Sequence, residues 1–302
     1  MTGVLRAITG LVLALGLVAC TQLVRNSGAE TLPPRPEGAL RLASYNVHYI
    51  VLGRAEGAWS RGDWERRKGP LDAAFKALEA DLVGFQEMES FLRGSDGSVN
   101  LARDWLLAQN LGFAATHHGN WRDTPQTQPI FYRADRLEAL EEGWFFFADT
   151  PDVIYAPTFN GSFPAFASWA RFRDRVTGRV FRVVNVHFEF RSISNRRLSA
   201  ALVADRFAPA LAAGERVVLL GDINARLGSA THGILEDAGW TFLPVAGATY
   251  HFNRGLNLFG AIDHIALAGP MDAAGPPVVL RTRFPGEWPT DHYPVVADIL
   301  LE

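Results

Sequence analysis

Three near-continuous apolar runs in the C-terminal half each meet a cluster of acid, amide or imidazole groups: "VVLLGDINAR" (217–226), "GAIDHIAL" (260–267) and "PTDHYPVV" (289–296). A run of four or more apolar residues with no polar alternation reads as a strand covered on both faces, so the chain needs layers on either side of a sheet. Asp222, Asn224, Asp263, His264, Asp291 and His292 therefore stand where strands stop and loops begin. One Asp-His at such a place is common. Three, preceded by "LRLASYNVHYI" (40–50), "DLVGFQEME" (81–89) and "FRVVNVHFEF" (181–190), form a pattern.

Between these runs lie segments of helical spacing. Leu71, Ala74, Phe75 and Leu78 share one helix face, with Pro70 expected in the first turn or as the break from an earlier one. Further helices are expected over 101–113, 194–213 and 229–238, and strands near 128–133, 166–173, 179–188, 261–267, 278–283 and 293–300. The strands at 166–173 and 179–188 read as a hairpin turning at Thr177-Gly178. Mixed sheets with helices outside fit this order, and stacking two sheets buries "VVLLG" and "VVNV". The predicted fold class is an α/β two-sheet sandwich flanked by helices, in four layers α/β/β/α.

Length and composition set outer limits. The chain has 302 residues, 48% apolar and 20% charged, enough for one sizeable core. A net charge of −3 gives no overall electrostatic reason to expect nucleic acid, though a local basic patch is compatible with it. The single cysteine excludes an internal disulfide. It falls at Cys20, after Arg6 and the run "AITGLVLALGLVA", too short an apolar stretch for a spanning helix. Leu17-Val18-Ala19-Cys20 resembles a bacterial lipobox, which implies a lipoprotein signal over 1–20, lipidation of Cys20 and an exported, membrane-anchored protein. An uncleaved anchor with an incidental cysteine is the alternative. Residues 21–38 are polar and Pro-rich and read as a tether, leaving 39–302 as the folded domain.

The polar groups suit one chemistry. Glu87, after an apolar strand, can place a carboxylate at a cleft mouth, and Mg²⁺ favours one or two carboxylates with water and substrate phosphate; alone, Glu87 would be a solvated charge. Asn46 offers a neutral oxygen beside it, or is a turn residue. Asp222 and Asn224, two apart, point to one face and can orient a water and hold a phosphoryl oxygen, or close an Asx turn. Asp263 and Asp291 can fix the tautomer of His292. His187 taken alone is a satisfied core histidine. His48, His117, His118, His232 and His251 read as surface or rim residues. No P-loop, G-x-S-x-G or H-E-x-x-H is present. This inventory suits metal-assisted attack of water on a phosphoester.

The order "SYNVH", "GFQEME", "VNVHF", "LLGDINA", "AIDHI", "TDHYPV" resembles the endonuclease/exonuclease/phosphatase superfamily, over about residues 40–300. The resemblance implies a DNase I-like fold and Mg²⁺ as cofactor, with Mn²⁺ or Ca²⁺ as alternatives. It implies metal contacts from Asn46, Glu87 and Asp291. Asp222 would activate water, Asn224 would hold phosphoryl oxygens, and His292, supported by Asp263, would contact the scissile phosphate. His187 would contact the phosphate or leaving group. A nuclease working as a monomer is the expectation. A phospholipid or sphingomyelin phosphodiesterase, or a phosphatase of small esters, is the alternative, and a non-catalytic surface module a third. Arg191, Arg196 and Arg197 could clamp a phosphate or simply start a helix, and 248–265 could form a specificity loop. No aromatic hairpin for membrane insertion is evident in the sequence.

Overall fold

The apolar runs pair into two sheets stacked face to face. The structure, a computed structural model, describes residues 2–25, 29–91, 99–161 and 163–302. In chain order the elements are α1 (Thr2–Arg25), β1 (Leu40–Asn46), β2 (Ile50–Val51), α2 (Arg61–Ala77), β3 (Leu82–Gln86), β4 (Ser90–Phe91), α3 (Leu101–Gln109), β5 (Phe113–Ala115), β6 (Ile130–Arg133) and β7 (Leu137–Phe146). Then follow β8 (Phe166–Asp174), β9 (Val180–His187), α4 (Ile193–Ala212), β10 (Val217–Asp222), α5 (Ala230–Asp237), β11 (Thr241–Phe242), β12 (Asp263–Ala268), β13 (Met271–Ala273), β14 (Val278–Val279) and β15 (Val295–Leu301). One sheet has the order β13-β15-β1-β3-β6-β5, with β14 also on β15; the other runs β11-β12-β10-β9-β8-β7.

Period-two alternation sorts the side chains into layers. Leu40 and Leu42 of β1 point inward and meet Val183, Val218, Leu220 and Ile265 of the second sheet. Ala43 and Tyr45, one residue out of step, point outward onto Trp64, Leu71, Phe75 and Leu106 of α2 and α3. On the other side Val184, Val186, Val217 and Leu219 meet Ala200, Val203, Phe207 and Leu235 of α4 and α5. Each buried Val, Leu, Ile or Phe among these contributes roughly 1.5–3 kcal/mol by leaving water, which is why the central strands carry no polar alternation. The four-layer α/β/β/α sandwich is the architecture found.

Several local expectations change. Pro70 lies deep inside α2, because the helix begins ten residues earlier on Ser60, whose Oγ accepts from Asp63 N–H at 3.0 Å. Buried Trp64 and Arg67 hold those extra turns in place. β7 has no counterpart in the sequence reading. Its "LEALEEGWFF" is rich in Leu, Ala and Glu, which favour helix, and it forms as a bulged edge strand through pairing with β8. Asp263 opens β12 instead of closing a strand.

Part of the stretch expected as a tether makes contacts of its own. Ala29 bridges Leu280, Arg35 pairs with Asp81 at 2.7 Å, and Arg41 donates to the Pro33 carbonyl, so 29–38 lies against the domain. Arg41 draws it there, a buried guanidinium held by Asp298 at 2.8 Å. Among the described residues no helix is long and apolar enough to cross a membrane. Cys20, the expected lipidation site, belongs to a stretch whose side chains fall outside the described residues.

Candidate active site

Strand direction brings the polar ends to one edge. β1 runs parallel to β3, and β9 parallel to β10, so Asn46, Glu87, His187 and Asp222 all arrive at C-terminal strand ends. β12 and β15 run antiparallel to β10 and β1, so their beginnings, Asp263 and the nearby Asp291-His292, reach the same edge. Asp222 and Asp263 are register partners across the β10–β12 pair. Contact between the two sheets' ends is direct: Asn46 Nδ2 donates to Asp222 Oδ2 at 3.2 Å and to Glu87 Oε1 at 3.1 Å.

Asp222 is the hub. Its Oδ1 accepts from the Asn224 backbone N–H at 2.9 Å, an Asx turn closing β10. Its Oδ2 lies 3.8 Å from His187 Nε2 and 3.9 Å from His292 Nε2. Burial pushes its carboxyl up to about 6; the Asp263 charge adds to this, while His292 and His187 pull it back.

His292 is buried, and its Nδ1 donates to Asp263 Oδ2 at 2.9 Å. Burial alone lowers its imidazole, but the charge and hydrogen bond of Asp263, with Asp222 and Asp291, outweigh that and raise it to about 10. Asp263 is held in turn: its backbone N–H donates to Thr249 Oγ1 at 3.2 Å, while its Oδ1 has no hydrogen-bond partner among the described residues. One ligand-type atom from each of Asp222, Asp263 and His292 lies within 4.8 Å of the others, a spacing that could hold a metal ion.

Glu87 takes a left-handed backbone (φ 53°), a conformation costing on the order of 1–3 kcal/mol that turns its carboxylate off the strand line. Its Oε1 is 3.8 Å from His187 Nε2. Tyr49, Tyr250 and His48 each lie near enough to both Glu87 and Asp291 to sense their charge, so the two carboxylates share one neighbourhood. Asn46 Oδ1 accepts from His48 N–H at 3.1 Å, leaving its amide nitrogen toward the two acids. Asn224, also left-handed (φ 50°), donates from Nδ2 to the Phe188 carbonyl at 2.8 Å.

All eight expected site residues thus meet at this edge. Several supporting ones were not read from the sequence. Arg67, buried on α2, donates to the carbonyls of Val47 (2.8 Å), His48 (2.9 Å) and Pro289 (3.3 Å), tying the segment after Asn46 to the one before Asp291. Thr290 Oγ1 donates to the Asn46 carbonyl at 3.0 Å. Gln86 Nε2 donates to Asn185 Oδ1 at 2.6 Å, joining the sheets beneath Glu87 and His187. Tyr250, from the 248–265 segment expected as a specificity loop, sets its ring tilted against that of His292 with centroids 5.0 Å apart. For Thr290, Gln86 and Asn185 the only sequence signal is nearness to a strand end, and Arg67 lacks even that.

Four histidines read as surface or rim groups are buried instead: His48, His117, His232 and His251. Each gains a local partner, as His117 does from Thr116 Oγ1 (2.6 Å) and the Gly143 carbonyl (2.8 Å), and burial lowers all four imidazoles. His264 is likewise buried, near about 4, with Nε2 on the Ala225 carbonyl.

Searches of protein-family models and of curated proteins found no match. Solved structures do match. An endonuclease/exonuclease/phosphatase protein of Bacteroides vulgatus is 24% identical, covering 87% of this chain and 99% of its own, at a TM-score of 0.72. One of Bacteroides thetaiotaomicron is 22% identical over 87% and 98%, at 0.71. A mannosyl-6-phosphatase of the same organism is 23% identical over 87% and 100%, also at 0.71. With that likeness over nearly the whole of each partner, this chain has the fold of the endonuclease/exonuclease/phosphatase proteins.

Proposed function

We propose that the chain is a divalent-metal-dependent phosphoester hydrolase of the endonuclease/exonuclease/phosphatase superfamily. The observation carrying this is Asp222, buried and raised to about 6, set between two imidazoles and beside a carboxylate-lined space. Glu87 and Asp291 offer hard oxygens to that space, a donor set that fits Mg²⁺, with Mn²⁺ or Ca²⁺ as alternatives. The group Asp222, Asp263 and His292 fits an ion less well, because a ligating histidine must be neutral and His292 is held as the cation. Asn46, with its oxygen taken by His48 N–H, is better placed to orient Glu87 and Asp222 than to ligate. A bound divalent ion would polarise the phosphoryl oxygens and offset developing charge.

The chain's own groups divide the remaining work. Asp222 orients a water and takes its proton as the water oxygen bonds to phosphorus. A carboxylate near 6 is ionised at neutral pH yet basic enough for that transfer. His292, cationic on Asp263, donates from Nε2 to the charged phosphoryl oxygens. His187, a quarter exposed at the cleft mouth, gives the departing ester oxygen a hydrogen-bond partner as the P–O bond breaks. The unused hydrogen of the Asn224 amide is free for the phosphate. The departing oxygen gains one proton, equivalent to the one Asp222 removed from water, so the products are a phosphate and an alcohol, with no covalent enzyme intermediate.

For substrate, the nuclease reading rests on how common that activity is among proteins of this fold. A small phosphate ester is the second reading. It is favoured by the 23% identity to the mannosyl-6-phosphatase, against 14% to a zebrafish TDP2 solved with single-stranded DNA product. We further propose export and lipid anchoring through Cys20, on the strength of the N-terminal sequence alone.

The test is to incubate the purified protein and Mg²⁺ with supercoiled plasmid, mannose 6-phosphate and bis(p-nitrophenyl) phosphate, beside EDTA and His292→Ala controls. Turnover of any of these that both controls abolish supports the reading, and which one turns over chooses the substrate. Metal binding without turnover of any phosphoester would make the chain a binding module.

A further inference from the structure

Exposed apolar side chains gather around the cleft. Phe190 (55% exposed) follows β9, Leu227 (39%) follows β10, and Leu258 (52%) and Phe259 (44%) end the loop ahead of β12. Arginines lie on the exposed rings: Arg191 sits 4.9 Å over Phe190, and Arg226 5.5 Å over Phe259. A ladder of rings joins this rim to the site, from His292 to Tyr250 (5.0 Å), to Phe252 (4.4 Å), to Phe259 (5.9 Å). Left-handed turns at Phe252 (φ 61°) and Asn253 (φ 54°) fold this loop. Single exposed leucines need no explanation, but a cluster of them rimmed by cations does.

A second observation is independent of the rim. Ala29, where the described chain resumes after α1, bridges Leu280, and Leu280 N–H donates to the Pro294 carbonyl at 3.0 Å. Pro294 is two residues from His292, so the N-terminal segment joins the domain about two strand spacings, roughly 10 Å, from the catalytic edge. The helix it carries is apolar on every side, with Val4, Leu5, Ile8 and Leu11 all more than half exposed. The segment that carries an apolar helix thus joins the domain near the end of the sandwich that bears the apolar, cationic rim.

We propose that this rim is a lipid-contact face, on which Phe190, Leu227, Leu258 and Phe259 enter the headgroup region of an anionic bilayer while Arg191 and Arg226 meet its phosphates. The cleft then opens onto the membrane. Leu227 and Leu258, exposed beside the two rings, can enter an acyl layer but offer a nucleobase no stacking platform, and that favours lipid over a nucleic-acid strand. That the phosphoester hydrolysed is itself membrane-borne rests on the hydrolase reading above; the contact face does not.

The test uses the full chain carrying Phe259→Trp, with Val176→Trp as its counterpart. Val176, 70% exposed, lies in the turn that precedes β9, at the opposite end of that strand from His187. With vesicles of phosphatidylglycerol and brominated phosphatidylcholine, the added fluorescence at 259 is expected to shift to the blue and be quenched, and that at 176 to stay unchanged. Equal quenching at both, or none at 259, overturns the face. So does a shift at 259 driven by protein concentration or by an oligonucleotide without lipid, which would assign the rim to a second copy or to nucleic acid. The double variant Phe190→Glu/Leu227→Glu, outside the loop that carries the ring ladder, should hydrolyse bis(p-nitrophenyl) phosphate normally but a vesicle-borne phosphodiester about tenfold more slowly. If the unmodified chain hydrolyses neither ester, the hydrolase reading fails, and the quenching still decides the face.

Discussion

Asp263 and His292 are 29 residues apart in sequence, yet Nδ1 of His292 donates to Asp263 Oδ2 at 2.9 Å in a buried setting. A buried imidazole would ordinarily be neutral. Here the carboxylate keeps it cationic, which fixes both its orientation and its charge.

Asp263→Asn should therefore return His292 to a neutral ring. We expect its imidazole, followed by NMR in the metal-free protein, to titrate well below about 10, and phosphoester hydrolysis to fall by roughly 10²–10³, the cost of losing one oriented donor. An unmoved titration would show that Asp263 does not control the charge.

Stability of the metal-free protein should fall with rising pH on account of this site. His292 is raised from 6.5 to about 10, so its contribution is complete below 6.5 and disappears as pH climbs through about 10. Asp222, raised from 3.8 to about 6, acts in the same sense lower down, stabilising most below 3.8 and losing that contribution through about 6. Urea unfolding in EDTA across both windows checks this, and Asp263→Asn should flatten the upper one.

Arg67→Met should loosen the site without removing any group that touches substrate. It strips donors from three carbonyls and leaves them buried, at a cost of about 1–3 kcal/mol. Metal affinity measured by calorimetry should weaken, because the segments bearing Asn46 and Asp291 lose their tie. Unchanged affinity in a destabilised protein would reduce Arg67 to a packing role.

Gly221→Ala tests the path of β10 beside the hub. Its φ is 150°, and an added Cβ would lie 2.0 Å from the Val186 carbonyl oxygen on the neighbouring strand. Backbone cannot yield as a side-chain tip can, so a loss of about 3 kcal/mol or more is expected in thermal unfolding.

Much of the architecture was legible before folding. Unbroken apolar runs such as "VVLLG" imply strands covered on both sides, and the helical spacing around Leu71 supplies a cover. β7 escaped notice because its residues favour helix and only pairing with β8 makes it a strand. Buried His117 and His251 look like any polar residue in a loop, since burial depends on what the rest of the chain lays over them.

By itself the sequence determined the layer order and which polar groups stand at strand ends, because both follow from local periodicity and its interruption. Only the tertiary structure decided that those ends share one edge. Whether Asp263 opens or closes its strand, and whether it therefore reaches His292, depends on β12 running against β10. The same holds for the charges: Asp222 near 6 and His292 near 10 arise from burial and from neighbours far away in sequence. Strand direction and burial are settled by packing between distant segments, and no local pattern encodes them.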